Sequence, residues 1–268
     1  MPGIKTITRA ITITITNTAS VLSISDATLK RDLSLARLLQ LSSVSLPVGG
    51  YAFSQGLEYA IECGWLKKYE DVEQWIRLQL RESLVRVDLP VLRGAMECVE
   101  EQNWPKFLYL NDLALASRET KELRLTDTAM GEALYRLLKS LAFDFQFEAK
   151  TSSIEGGEAM DGKEGMKRRE LSFVVLFAFA ASNWQIDYHS AAMGFTWSWL
   201  ENQVAAATKL VPLGQTQAQK LLTQLQPTIG QTLAMAEKVS EANIGGGLPA
   251  LAIASALHET QYSRLFRS

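Results

Sequence analysis

The sequence predicts an all-α fold, a single-domain helical bundle of roughly eight to ten helices at the usual helix lengths of such domains. Three observations carry this. From Arg31 onward apolar residues recur at three- and four-residue spacing, beginning with Leu35, Leu38 and Leu39. Helix start and stop residues punctuate the pattern. The one alternating segment, Ile11-Thr12-Ile13-Thr14-Ile15-Thr16, has no second strand nearby, and a lone strand is marginal in water. With 268 residues, 47% hydrophobic and 21% charged, the chain can bury a substantial core.

Residues 1–30 read as a flexible Thr-rich leader, and 31–268 as the helical domain. Met1 to Ser25 carries Lys5 and Arg9 but no acid. That is faintly like an organellar transit peptide, though a floppy leader or an upstream start codon is the better reading. The first helix stops at Leu46-Pro47-Val48-Gly49-Gly50, because proline removes a donor and glycine admits unusual backbone angles. A short helix from about Phe53 to Cys63 ends at Gly64. Asp71 reads as the N-cap of a helix through Trp75, Leu78 and Leu80, and Asp88 with Pro90 as the start of another. Asn103-Trp104-Pro105 marks a break, and one long amphipathic stretch then covers about Leu113 to Phe147.

Thr151 to Arg169 has Gly156, Gly157, Gly162 and Gly165 amid charges, so the segment 151–169 is expected to be a flexible surface loop. Leu171 to Ala181 is too short to span a bilayer and reads as a buried helix. Asp187 caps a helix through Trp197, Trp199 and Val204 that ends before Pro212. Leu213-Gly214 turns into a helix near Leu221 to Leu225, Gly245-Gly246-Gly247 is a hinge, and Pro249 opens the last helix.

Charge and composition exclude several functions. Lys+Arg 27 against Asp+Glu 29 gives a net charge of -2, which offers nothing to hold a polyphosphate backbone, so nucleic acid is not an expected partner. No membrane association is expected either. Two cysteines, Cys63 and Cys98, imply no disulfide framework and point to a reducing, cytoplasmic location. His189 and His258 are the only histidines, which makes a weak case for a metal site within one chain. No nucleophile elbow and no phosphate-binding loop is present, so enzymatic activity is not expected. Glu58 and Glu62 lie one helical turn apart, a spacing that is common on solvated faces.

Four segments stand out. Leu46-Pro47-Val48-Gly49-Gly50-Tyr51-Ala52-Phe53-Ser54-Gln55-Gly56-Leu57-Glu58 is a tight loop with two aromatics. It suits a preorganised contact surface or a helix–loop–helix corner, and Glu58 is expected on its surface. Arg118-Glu119-Thr120-Lys121-Glu122-Leu123-Arg124 reads as a salt-bridged exposed face through Arg118 and Glu122. Trp199 to Val204 with Lys209 to Gln215 combines core residues with Asn202, Gln203 and Gln215, which need partners if buried. The tail, His258-Glu259-Thr260-Gln261-Tyr262-Ser263-Arg264-Leu265-Phe266-Arg267-Ser268, interleaves arginine with aromatic and aliphatic residues, as binding hot spots do, and reads as a docking element over 258–268.

Together these segments resemble the UreF family of urease accessory proteins. Leu46 to Glu58 is similar to that family's L-P-V-G-x-F-S-Y-S-x-G-L-E signature, and Arg118 to Arg124 to its R-E-T-x-E-L-R block. Leu210-Val211-Pro212-Leu213-Gly214-Gln215-Thr216 and the tail resemble its later blocks. Ala52 and Phe53 stand where the family usually has Ser and Tyr, so Phe53 keeps the ring and loses the hydroxyl.

The resemblance implies an all-helical homodimer with no cofactor of its own. Such a protein binds a UreD/UreH-type accessory protein, recruits and regulates the GTPase UreG, and helps deliver nickel to apo-urease through an internal passage. Partner-binding residues implied by the matched blocks are Leu46, Pro47, Gly49, Tyr51, Phe53, Ser54, Gln55, Gly56, Glu58, Arg118, Glu119, Glu122, Arg124, Gln215, His258, Glu259, Tyr262, Arg264, Leu265, Phe266 and Arg267. Two other readings stay open. One is a metallochaperone that carries nickel itself on His189, His258 and the cysteines. The other is a small helical enzyme with a pocket lined by Tyr188, Trp197 and Trp199.

Overall fold

The computed structural model describes residues 26–147, 169–211 and 213–267. Among these the chain is all-α. No strand forms, and a single parallel bridge joins Phe53 to Arg267. In order the helices are α1 (Asp26–Leu41), α2 (Leu57–Glu62), α3 (Tyr69–Leu78), α4 (Leu89–Glu100), α5 (Trp104–Ala116), α6 (Lys121–Ser140), α7 (Phe173–Asn183), α8 (Tyr188–Leu210), α9 (Gln215–Ala236) and α10 (Pro249–His258).

The core is built around α7. Every residue from Phe173 to Ala181 is buried, the environment that a helix apolar on all sides requires. It lies between α4 and α6, while α9 packs across α8 and the α3–α4 rod. Phe179 meets Trp104, Phe107, Phe143, Phe145 and Phe147 in one aromatic cluster. The buried start of α7 needs hydrogen-bond acceptors, and other helices supply them. Asp127 of α6 accepts from the amide of Phe173 at 2.8 Å and from the Ser172 hydroxyl, and Asn111 of α5 accepts from the amide of Ser172 at 2.8 Å.

Four expected boundaries move. The helix foreseen from Phe53 begins at Leu57, because Gln55 and Gly56 adopt left-handed backbone angles. Asp71 is not an N-cap. It lies inside α3, where its carboxylate accepts from the amides of Lys67 and Lys68; those bonds hold its carboxyl below the usual range. Asp88 does not start a helix either. A π-helical segment, Gln79–Asp88, carries α3 into α4 without a break, and the Asp88 carboxylate is committed to Arg118 instead. The stretch from Leu113 to Phe147 divides at a turn after Ala116, and the Thr120 hydroxyl caps α6 by accepting from the amide of Leu123.

Other boundaries hold. Asp187 caps α8 and Pro249 opens α10. The leader expected over 1–30 lies outside the described residues as far as residue 25, with its Ile/Thr alternation, but Asp26 to Lys30 already form the start of α1, so the helical domain begins earlier than expected. The 151–169 segment lies outside them up to residue 168.

Candidate functional site

The Leu46 to Glu58 segment is a corner held from three sides. Gly49 and Gly56 sit at φ 74° and 79°, which an L side chain rarely adopts. A Cβ on Gly56 would also lie 2.9 Å from the Ser255 amide nitrogen, so α10 approaches closely there. Leu46, Phe53 and Ser54 are buried, Pro47 is exposed, and Gln55 is half-buried. The Gln55 side-chain oxygen accepts from the indole of Trp199 at 3.1 Å and the amide of Gln203 at 3.2 Å. That pins the loop to α8. Sequence reasoning had flagged Trp199 and Gln203, although not as partners of Gln55.

Behind the corner lies a buried charged cluster. Glu58 is only 4% exposed, so its expected surface position is corrected: its neighbours on α10 and in the tail bury it. Its carboxylate accepts from the amides of Leu265 and Phe266 at 2.7 and 3.0 Å, and lies 2.9 Å from His258 Nε2. Glu122, fully buried, lies 3.1 Å from His258 Nδ1 and accepts from the Ser255 hydroxyl at 3.0 Å and from the Gly56 amide at 3.3 Å. Burial alone would lower the His258 pKa. Hydrogen bonding and charge from Glu122 and Glu58 outweigh it and hold the imidazole above its ordinary range. Glu259 turns back to accept from the amide of Glu122 at 2.9 Å, capping α6.

The tail therefore divides. Phe266 is buried and lines the same pocket as Phe53, and the Arg267 amide donates to Ala52 at 2.8 Å. Tyr262 and Leu265 point outward, fully and 74% exposed. Arg264 donates to the Glu259 carbonyl at 3.2 Å. Exposed Tyr51 and buried Phe266 both lie under the Lys209 ammonium, 5.9 and 5.3 Å from their ring centroids. Tyr51, Lys209, Leu265, Arg264 and Arg267 thus line one aromatic and cationic face over the corner.

The expected Arg118–Glu122 surface pair does not form, because Arg118 precedes α6 and turns inward. It pairs with Asp88 at 2.6 Å and Asp127 at 2.9 Å. Burial opposes its charge, but the two carboxylates prevail and raise its pKa above the usual guanidinium value. In the sequence Asp88 reads only as a helix start, and Asp127 carries no signal beyond its charge. Exposed Arg124 pairs with Glu170 at 2.9 Å, and Gln215 is exposed at the start of α9, where the described contacts do not bring it to this cluster.

Beside Arg118 opens a narrow cleft of about 90 Å³. Gln79, Ser83 and Asp88 form one wall, Glu119 and Asp127 another, and Asn202 and Gln203 a third. The Gln203 side-chain oxygen is buried there with no hydrogen-bond partner among the described residues. The hinge glycines close the rim: the Gly245 amide donates to the Arg86 carbonyl at 3.0 Å, and a Cβ on Gly247 would overlap the Glu119 carboxylate.

No group of three His, Cys, Asp or Glu among the described residues is placed to hold a metal ion. Cys98 is buried, which pushes its thiol up to about 11, and Cys63 is exposed. Trp197 and Trp199 pack partly buried against the core. No helix among the described residues is long and apolar enough to cross a membrane.

A second face lies on α1. Leu29, Leu33, Leu35 and Leu39 are each at least half exposed. Leu29 and Leu33 lie one turn apart on one side of the helix and Leu35 and Leu39 on another, about 120° round it, while the Ser34 hydroxyl donates inward to the Gln185 carbonyl.

The family model for UreF matches residues 66–226. The chain is 59% identical over 237 residues to the urease accessory protein UreF of Marinomonas sp. (strain MWYL1), covering 88% of this chain and 95% of that protein. It is 43% identical over 234 residues to the same-named protein of Teredinibacter turnerae, covering 87% and 98%. Against that of Alkalilimnicola ehrlichii it is 40% identical over 232 residues, covering 87% and 95%.

Proposed function

We propose a function from one premise: the chain belongs to the UreF family of urease accessory proteins. It acts as a non-catalytic scaffold in urease maturation. It binds a UreD/UreH-type protein, recruits a UreG-type GTPase and regulates its GTP hydrolysis, and so helps pass nickel to apo-urease in the cytoplasm. The observation that supports this most is the folding of the tail onto the signature corner. Glu58 fixes Leu265 and Phe266, and that leaves Tyr51, Tyr262, Leu265 and two arginines facing solvent. Rigid aromatic and arginine groups on a preorganised frame are what partner hot spots use.

The cleft supports a route for the metal through the protein. Asp88 and Asp127 there are committed to Arg118, which leaves the Glu119 carboxylate and the Gln203 oxygen as acceptors suited to a hydrated cation. Free cysteines support a reducing compartment.

The test is binding of a purified UreD/UreH-type protein by Tyr51→Ala, Tyr262→Ala and Leu265→Ala. The side chains of Tyr262 and Leu265 make few internal contacts, so melting temperature is expected to hold. Affinity is expected to fall roughly 30-fold for at least one variant, the size of a hot-spot loss. Unchanged affinity in all three would remove this face from the interface.

The outward leucines of α1 support the homodimer. Leu29 with Leu33, and Leu35 with Leu39, are each one helical turn apart and at least half exposed, an apolar surface that a second copy of the chain would cover. Such a patch supplies part of the about 800 Å² that a stable interface buries per partner. Light scattering is expected to give twice the chain mass for the parent protein and the chain mass for Leu33→Glu/Leu35→Glu. A variant that stayed dimeric would place the interface elsewhere.

A further inference from the structure

The His258 cluster has a consequence that neither the scaffold role nor the dimer requires. Nε2 hydrogen-bonds Glu58 at 2.9 Å, and Nδ1 lies 3.1 Å from a Glu122 oxygen, within ion-pair reach although outside hydrogen-bond geometry. A carboxylate only accepts hydrogen bonds and carries negative charge, so only the doubly protonated, cationic ring answers both sides. All three side chains are buried. A neutral ring would turn a lone pair toward one carboxylate and leave two buried negative charges with no cation between them, a costly arrangement away from water.

The covering over this cluster is the tail itself, since Glu58 also holds the amides of Leu265 and Phe266. Among the described residues the other charged groups near it are Glu62, one turn on along α2 and bonded to Gln261; Glu259, bonded to the α6 N-terminus; Arg264, bonded to the Glu259 carbonyl; Arg267 on the tail; and Lys209 across the Phe266 ring.

We infer that His258 is a proton-operated latch on the C-terminal tail: protonated, it clamps Glu58 and Glu122 and keeps residues 265–266 docked; deprotonated, it releases them. Losing the proton is relieved most cheaply where the cluster can take up water. Lifting two residues at a chain end admits water, whereas α6 and α10 are fixed by their packing. The latch thus controls whether Phe266 stays seated and the outer face keeps its shape, whichever partner binds there.

The sign follows from linkage. Docking favours the proton on His258, whose pKa in the docked state lies above its ordinary value of about 6.5. Docking is therefore complete below that ordinary value and weakens as pH rises through the raised one. If release frees one proton, the docking equilibrium falls about tenfold per pH unit above that point.

The experiment is NMR on the full chain over roughly pH 6–9. Imidazole signals report the titration, and exposed His189 serves as an internal control. Hydrogen-exchange protection of the Leu265 and Phe266 amides, divided by the intrinsic rate at each pH, reports docking. The expected result is loss of protection with the same midpoint as His258, and a lower, pH-independent protection in His258→Gln. Protection that stays flat while His258 titrates overturns the latch. So does an unchanged pH dependence in His258→Gln, or a loss that tracks His189. Should His258→Gln fail to fold, Glu122→Gln serves in its place: with one carboxylate neutral, the wild-type pH dependence is expected to flatten, and its persistence counts against the proposal.

Discussion

Arg118→Met is expected to lower the unfolding free energy by about 3–5 kcal/mol, the usual cost of removing one partner from a buried ion pair. Arg118 is 15% exposed in its side chain and sits between Asp88 at 8% and Asp127 at 6%. Methionine fills similar volume, so the loss is mainly electrostatic. Most of it comes from Asp88. Asp127 keeps the Ser172 hydroxyl and the Phe173 amide, whereas no other hydrogen bond to Asp88 is recorded among the described residues. Adding Asp88→Leu to Arg118→Met is accordingly expected to restore much of the stability, because an apolar pair often matches a buried ionic one. Urea denaturation measures both. A cost under about 1 kcal/mol for Arg118→Met, the range of solvent-exposed pairs, would mean that water in the cleft already hydrates the aspartates.

That network shows where the sequence was legible and where it was not. Punctuation that acts within one turn could be read: Asp187 caps α8 through Ser190, Asn103 caps α5 through Lys106, and Gly64, at φ 78°, follows α2. Asp88 and Asp71 looked like the same signal. Nothing local distinguishes a cap from a carboxylate spent on an arginine 30 residues away or on the preceding turn. The continuous α3–α4 rod was missed for this reason. Thr120 was the opposite case, a cap in plain view inside what looked like one amphipathic stretch.

The candidate site divides in the same way. Matched blocks at 46–58, 118–124 and 258–267 do converge, through the Gly56–Glu122, Ser255–Glu122 and Glu58–tail contacts. Which of their side chains point outward was not legible. A lone glutamate belongs on the surface by default. It goes inside only when partners distant in sequence meet its hydrogen-bonding needs, and for Glu58 those partners lie about 200 residues away. Tyr51, Tyr262 and Leu265 carry the outward role instead, and Glu58, Glu122, His258 and Phe266 form the frame beneath them.

Glu58→Ala is expected to lower stability by about 3 kcal/mol, and so to move the melting temperature as well as any partner binding. The carboxylate accepts two amides and faces an imidazole, and each hydrogen bond to a charged group is worth about 1.5–3 kcal/mol. Simple addition overstates the loss. The tail can lift away and rehydrate the Leu265 and Phe266 amides, and the remaining His258–Glu122 pair is balanced in charge. The tail is expected to lose its hydrogen-exchange protection entirely, whereas the core around α7 is expected to keep most of its own. At roughly 2–4 °C per kcal/mol for a chain near this size, thermal unfolding shifts down by about 6–12 °C. Glu58→Gln, which still accepts from both amides, is expected to lose less than half as much. An unchanged melting temperature in Glu58→Ala, with tail protection intact, would show that Glu58 does not hold the tail.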